Sequence, residues 1–252
     1  MQLINEKFTY SVDPTHVSRE RLVNLLSGNL KTTSATIISA RAGTGKTALA
    51  AEFATRSGRN VAWFKVESSD ADWRVFFRYL VASVEERRPG FNSGQFAAII
   101  DSSTVEDMML CAEFFVFDLF QTRTSPLLIV LEDLHLVFDA EWVNPFFSRL
   151  LPLLPGDVHL LITCRSLLPA PLWRMRSKQQ LCLVDEDNLN FTFEEARQLC
   201  DGYGLSDFVA SIALEESRGK ASMLSSIARL FRHHTGETHS NGERRRLGPV
   251  GA

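Results

Sequence analysis

Ala35-Thr36-Ile37-Ile38-Ser39, then Ala40-Arg41-Ala42-Gly43-Thr44-Gly45-Lys46-Thr47, then Ala48-Leu49-Ala50-Ala51-Glu52-Phe53 is the stretch on which the reading of the fold turns. A β-branched apolar run of strand length, a glycine-bearing loop and a run of good helix formers follow one another directly. That order is what a phosphate-binding loop requires. Glycines at 43 and 45 let the backbone curl so that successive amides face phosphate oxygens, and the N-terminus of the next helix adds partial positive charge. The expected cradle is Ala42, Gly43, Thr44, Gly45, Lys46, Thr47 and Ala48, with Lys46 bridging the β- and γ-phosphates of a nucleoside triphosphate. Thr47 supplies a hydroxyl for Mg²⁺, so ATP with Mg²⁺ is the expected cofactor pair. Ala40 stands where the GxxxxGK[ST] pattern has its first glycine, which requires a negative φ there.

Working outward, four further runs have strand length and apolar character: Val61 to Val66, Leu127 to Leu131, Val158 to Thr163 and Leu181 to Val184. Helical spacing lies between them. Trp73, Phe76, Phe77, Leu80 and Val84 share one face, and so do Val105, Met108, Met109, Ala112, Phe115, Val116 and Leu119. Thr104 with Asp107 three residues on has the form of a capping start, and Pro126 blocks continuation of the second helix. Strand and helix alternate, and the strands are apolar throughout rather than alternating in and out. This predicts an α/β fold with a five-stranded, mainly parallel sheet buried on both faces by helices.

Two chemical signals lie at the ends of later strands. Leu127-Leu128-Ile129-Val130-Leu131-Glu132-Asp133 is an apolar run closed by two carboxylates, placing Glu132 at the metal position and Asp133 at the water-polarising one. Hydrolysing proteins more often carry aspartate then glutamate, so the reversed order predicts slow or absent turnover. Val158 to Thr163 leads to Cys164 and Arg165, which sets a guanidinium at the carboxyl end of its strand. A planar cation there can tell triphosphate from diphosphate.

Composition narrows the classes. The chain has 252 residues, a formal net charge of −3 and 45% hydrophobic residues, a balance unsuited to coating nucleic acid or an anionic membrane. The longest apolar runs fall far short of the roughly 20 residues of a membrane span. Cys111, Cys164, Cys182 and Cys200 form no CxxC pair, and the six histidines are scattered, so neither a disulfide scaffold nor a side-chain metal cluster is expected. The cytoplasm is the expected address. After about Asp185 the strands stop, and Thr192-Phe193-Glu194-Glu195 opens a run of helices. From about Thr235 the chain turns polar and ends in Arg244-Arg245-Arg246 with Gly and Pro. The expected division is 1–185 nucleotide-binding domain, 186–234 small helical domain and 235–252 disordered tail.

Together these residues resemble the STAND class of signalling ATPases, relatives of the AAA+ proteins, and within it the nucleotide-binding domain of MalT-like, large LuxR-type transcriptional regulators. The segment His16 to Leu22 is similar to the family's arginine motif, which implies that Arg19 lies near the nucleotide. Ala40 to Thr47 matches the family's AxAGxGKT form, and Glu132-Asp133-Leu134-His135 resembles its DDxH element with Glu132 in place of aspartate. Val61-Ala62-Trp63 with the following helix, and Thr163-Cys164-Arg165-Ser166, are similar to its second strand and its sensor arginine segment. Gly219-Lys220-Ala221 lies where the family often has Gly-x-Pro.

The resemblance implies a nucleotide-dependent signalling switch that hydrolyses ATP slowly. Its partners would be proteins, copies of itself among them, with no nucleic acid and no membrane, because no sensor or DNA-binding module fits before Ala252. A small-molecule or nucleotide kinase, with Arg165, Arg174 and Arg176 as a phosphate-clamping lid, is the second reading. A binding-only interaction module is the third.

Overall fold

The computed structural model describes residues 3–12, 17–91, 93–165, 169 and 181–243. Its contacts divide the chain into two units. The first comprises Met1–Asp13, Glu20–Ala42 and Lys46–Asn188, the second Pro14–Arg19, Gly43–Gly45 and Leu189–Ala252. The contact boundary falls at 188/189, close to the expected 185/186, with Pro14–Arg19 and Gly43–Gly45 grouped with the C-terminal segment.

The first unit is built on five parallel strands, β1 (Ala35–Ser39), β2 (Asn60–Lys65), β3 (Leu127–Glu132), β4 (Val158–Cys164) and β5 (Leu181–Val184). They lie in the order β2-β3-β4-β1-β5. Every residue of β3 and β4 is buried, as near-continuous apolar runs demand when helices cover both faces of a sheet. The helices are α1 (Glu20–Thr32), α2 (Lys46–Arg56), α3 (Trp73–Glu85), α4 (Ser93–Ser102), α5 (Met108–Gln121) and α6 (Val143–Leu153).

Local chemistry sets their ends. Asp72 accepts from the Arg74 amide at 2.8 Å to start α3, and the Asp107 carboxylate accepts from the Thr104 amide at 2.8 Å ahead of α5. Aromatic rings fill the core over α3 and α6, with Phe77 edge-on to Phe146 at 4.6 Å between ring centres.

α5 corrects one expectation. Met108, Cys111, Ala112, Phe115 and Leu119 form the buried stripe, but Met109 is 53% exposed, and Phe117 and Phe120 are 57% and 59% exposed. The helix is apolar nearly all round, so hydrophobicity alone could not tell which face the sheet would take. The phenylalanines of the 114–120 segment therefore divide, with Phe115 in the core and Phe114, Phe117 and Phe120 exposed.

At the amino ends of the strands the polar groups are structural. The fully buried Arg88 donates to the Leu119 carbonyl at 2.7 Å and the Ser125 carbonyl at 3.0 Å, and pairs with Asp157. Nearby, Arg59 reaches the Asp157 carbonyl at 2.8 Å. His159 is buried between Thr36 Oγ1 at 3.0 Å and the Thr33 carbonyl at 3.1 Å, and burial pushes its pKa from 6.5 down to about 4.

A depressed histidine pKa favours the neutral ring in the fold, so its contribution is whole above pH 6.5 and is lost as pH falls towards 4. This one group is expected to cost about 3 kcal/mol of stability by pH 4. Urea unfolding of wild type and His159→Gln at several pH values checks it: the variant should show a flatter loss over that window.

The second unit carries α7 (Phe193–Gly202), α8 (Asp207–Ser217) and α9 (Ala221–Glu243). The Thr192–Glu195 capping box starts α7, with bonds of 3.0 and 3.3 Å. Ala196, Ala210, Ala213 and Ala228 let the helices approach closely around Leu199, Leu205 and Leu224. α9 continues to Glu243, past the point at which the sequence reading begins a tail. Once a helix is nucleated on a packed segment, adding polar residues to its ladder costs little. Arg244 to Arg246 lie outside the described residues, as do His16, Ser166, Arg174 and Arg176.

Candidate functional site

β1, β3 and β4 end together, and their carboxyl ends bring chemistry-bearing residues side by side in the first unit. The loop leaves β1 at Ala40, whose amide donates to the Cys164 carbonyl at 3.2 Å. Lys46 opens α2, and its Nζ folds back to donate to the Ala40 carbonyl at 2.7 Å and the Arg41 carbonyl at 2.9 Å. Lys46 as a whole is 6% exposed. Burial lowers its pKa, opposed by the nearby Asp133 carboxylate, so an anionic ligand beside it would favour the charged form further.

Thr47 is exposed on the first turn of α2 and donates its hydroxyl proton to Glu132 Oε1 at 2.7 Å. The other oxygen, Oε2, accepts from Trp63 Nε1 at 3.2 Å. A hydroxyl and a carboxylate at hydrogen-bond distance form the hard oxygen donor set that Mg²⁺ takes, and the residues present fit that ion. Asp133 follows in the left-handed region, φ 56° and ψ 35°, which costs a residue with a Cβ roughly 1–2 kcal/mol. Its amide donates to Thr163 Oγ1 at 3.0 Å, and its Oδ2 accepts from Arg165 Nη2 at 3.3 Å. His135 Nδ1 stands 3.8 Å from Asp133 Oδ1, and burial lowers the ring's pKa.

In the second unit, Gly43 and Gly45 have φ of +80° and +84°, where a side chain is strained. A side chain would also push on its neighbours. A Cβ at Gly43 would stand 2.4 Å from Ser222 Oγ, and one at Gly45 would stand 2.9 Å from Arg19 Nη2. The Ser222 amide donates to the Gly43 carbonyl at 2.9 Å, which pins the loop from α9. Arg19 is 1% exposed and donates to the carbonyls of Gly45 at 2.9 Å and Leu189 at 3.0 Å, over the ring of Phe191. Its geometry is that of a brace on the loop's carbonyls.

No protein-family model matches the sequence. The chain is 27% identical over 250 residues to the HTH-type transcriptional regulator MalT of Cronobacter sakazakii, a match that covers 96% of this chain and 27% of that regulator's length. Among solved structures it is similar to a Walker-type ATPase of Pyrococcus abyssi, with TM-score 0.51 and 10% identity over 94% of this chain and 77% of that one. It is also similar to the ORC1 protein of Aeropyrum pernix, solved in complex with DNA, with TM-score 0.50 and 18% identity over 95% of this chain and 65% of that one. The chain has the P-loop NTPase fold of these solved structures and is similar in sequence to the MalT regulator.

Within this P-loop NTPase fold, Lys46, Thr47, Glu132, Asp133 and Arg165 of the sequence reading stand together in the first unit. Arg19, Gly43, Thr44 and Gly45 stand together in the second. Ala42 is exposed in the loop and Ala48 half-buried on α2. Two residues that the sequence reading gave no role of their own also reach these groups, Trp63 and Ser222. Trp63 stood in a motif without a chemical task, and nothing in the spacing around Ser222 signals a contact with the loop.

No helix among the described residues is long and apolar enough to cross a membrane. No group of three or more His, Cys, Asp or Glu that could hold a metal ion is found among them either.

Proposed function

We propose that the chain is the ATP-binding module of a STAND-type signalling switch, with slow hydrolysis resetting it. The observation that carries this reading is the buried Lys46 ammonium folded back on the Ala40 and Arg41 carbonyls, beside a Thr47–Glu132 pair. Loop amides and Lys46 bind the triphosphate, and the Thr47 hydroxyl and Glu132 hold the accompanying Mg²⁺. When bound, the ion supplies charge neutralisation of the phosphate oxygens. Asp133 orients water, its carboxylate fixed by the left-handed turn and by Arg165, and Arg165 reads the third phosphate. Arg41, held by Glu186 at 2.6 Å, ties the loop to the turn after β5.

The output is a conformation, read by protein partners in the cytoplasm, copies of this chain among them. Neither nucleic acid nor membrane is a ligand of this part. The chain spans only 27% of the MalT relative, so no activity of that whole regulator is carried over.

Titrating ATP and ADP into the purified chain, with Mg²⁺ and with EDTA, and then following phosphate release, tests the reading. Magnesium-strengthened ATP binding with turnover below about one per minute is the expected result, far under the roughly 10 s⁻¹ of a median enzyme. No affinity for any purine triphosphate would end the proposal, and rapid transfer to an added acceptor would replace it with a kinase.

A further inference from the structure

Glu132 stands where an aspartate is more common, and its extra methylene gives the carboxylate one more rotatable bond to hold. The structure holds it from both sides. Oε1 takes the Thr47 hydroxyl at 2.7 Å and Oε2 takes the Trp63 indole N–H at 3.2 Å. Trp63 lies on β2 and pairs in register with Val130 of β3, so its side chain and that of Glu132 rise from the same face of the sheet. The indole is 2% exposed, and Tyr10 stacks on it at 4.6 Å with an interplanar angle of 19°. A buried, stacked ring offers its donor in one direction only.

We propose that Trp63 is a positioning residue for magnesium: its indole N–H occupies Oε2 of Glu132 and keeps Oε1 aimed at the Thr47 hydroxyl. The inference rests on the nucleotide reading above and deepens it. Trp63 touches neither nucleotide nor ion. It removes the rotational freedom that the longer carboxylate introduces, so the ion meets a single oriented oxygen rather than a swinging pair. The Trp63–Glu132 pair thereby takes the place of a shorter acid. Tyr10 backs the indole, and the segment bearing it is fastened by Lys7, whose Nζ lies 2.7 and 2.8 Å from the two Asp70 oxygens.

The test is a double-mutant cycle on the full chain with W63F, E132A and the double variant. Two quantities are read: the Mg²⁺ concentration giving half-maximal binding of a fluorescent ATP analogue, and the affinity for that analogue in EDTA. W63F is expected to raise the Mg²⁺ requirement about tenfold, to leave the EDTA affinity unchanged and to add nothing in the E132A background. A W63F chain with wild-type magnesium dependence overturns the proposal, as does a shift that persists undiminished without Glu132, the mark of a packing role.

Failure of the nucleotide reading shows separately, in a wild-type chain that binds the analogue with no response to Mg²⁺, and the inference falls with it. Should W63F not fold, the indole N–H resonances of ¹⁵N-labelled wild type and E132A decide. One indole proton of the four tryptophans is expected to move upfield when Glu132 is removed, and spectra with no such movement overturn the assignment.

Discussion

Lys46→Ala is expected to weaken ATP binding by on the order of a hundredfold, since bonds from an ammonium to phosphate contribute about 1.5–3 kcal/mol each. The ammonium already sits under the loop, where it holds the Ala40 and Arg41 carbonyls, so no long side chain has to be recruited from solvent. Its removal therefore takes away both the charge and the internal tie. Lys46→Arg should not rescue affinity, because a planar guanidinium does not fit where a point donor is folded beneath its own loop. Calorimetric titration of the variants reads the effect directly, and an affinity within threefold of wild type for Lys46→Ala would contradict the role given to this residue.

Arg88→Met is expected to be the most damaging single change to stability, at about 3–5 kcal/mol. The fully buried guanidinium serves two carbonyls and Asp157, and its loss leaves a mostly buried carboxylate whose remaining ion pair among the described residues is with the exposed Arg123, at 3.1 Å. For a domain of this size that should lower Tm by roughly 10 °C. The double variant Arg88→Met/Asp157→Leu should regain part of the loss, because the orphaned charge goes as well. The pair lies at the amino ends of the strands, opposite the loop, so ATP affinity should survive in whatever fraction stays folded. Thermal unfolding of the three proteins, with ATP titration of the folded material, separates the two effects.

The strands were legible because their apolar runs are bounded by glycines, prolines and charges. All five appear within a residue of the expected ends: β1 and β5 match, β2 starts and stops one residue earlier, and β3 and β4 run one residue further. The loop and the two acids were legible for the same reason, since phosphate chemistry fixes both residue type and spacing. The spacing does not mark helices α1, α4 and α6. α6 carries Pro145 and Pro152, which obscure its spacing, and α4 is a short run of small and aliphatic residues with no distinct polar face. α5 was recognised but its exposed side was not, because a helix that is apolar all round hides its orientation.

The site was legible only where a motif is contiguous in sequence. Trp63 reaches Glu132 across 69 positions and Ser222 reaches Gly43 across a still longer interval. Sequence spacing carries no trace of such a contact. The resemblance implies that Arg19 lies near the nucleotide, but its part as a brace depends on carbonyl directions that only the folded backbone sets.

The strand order has a consequence for synthesis on the ribosome. β1, which bears the loop, has β4 and β5 as its only neighbours, so its partners are translated more than a hundred residues after it. Until residue 184 leaves the exit tunnel, at least one edge of that strand offers unpaired amides and carbonyls to any passing chain. Nascent forms of this protein are therefore expected to gain from chaperones that shield sticky edges, and slowed elongation between β1 and β5 lengthens the period of exposure.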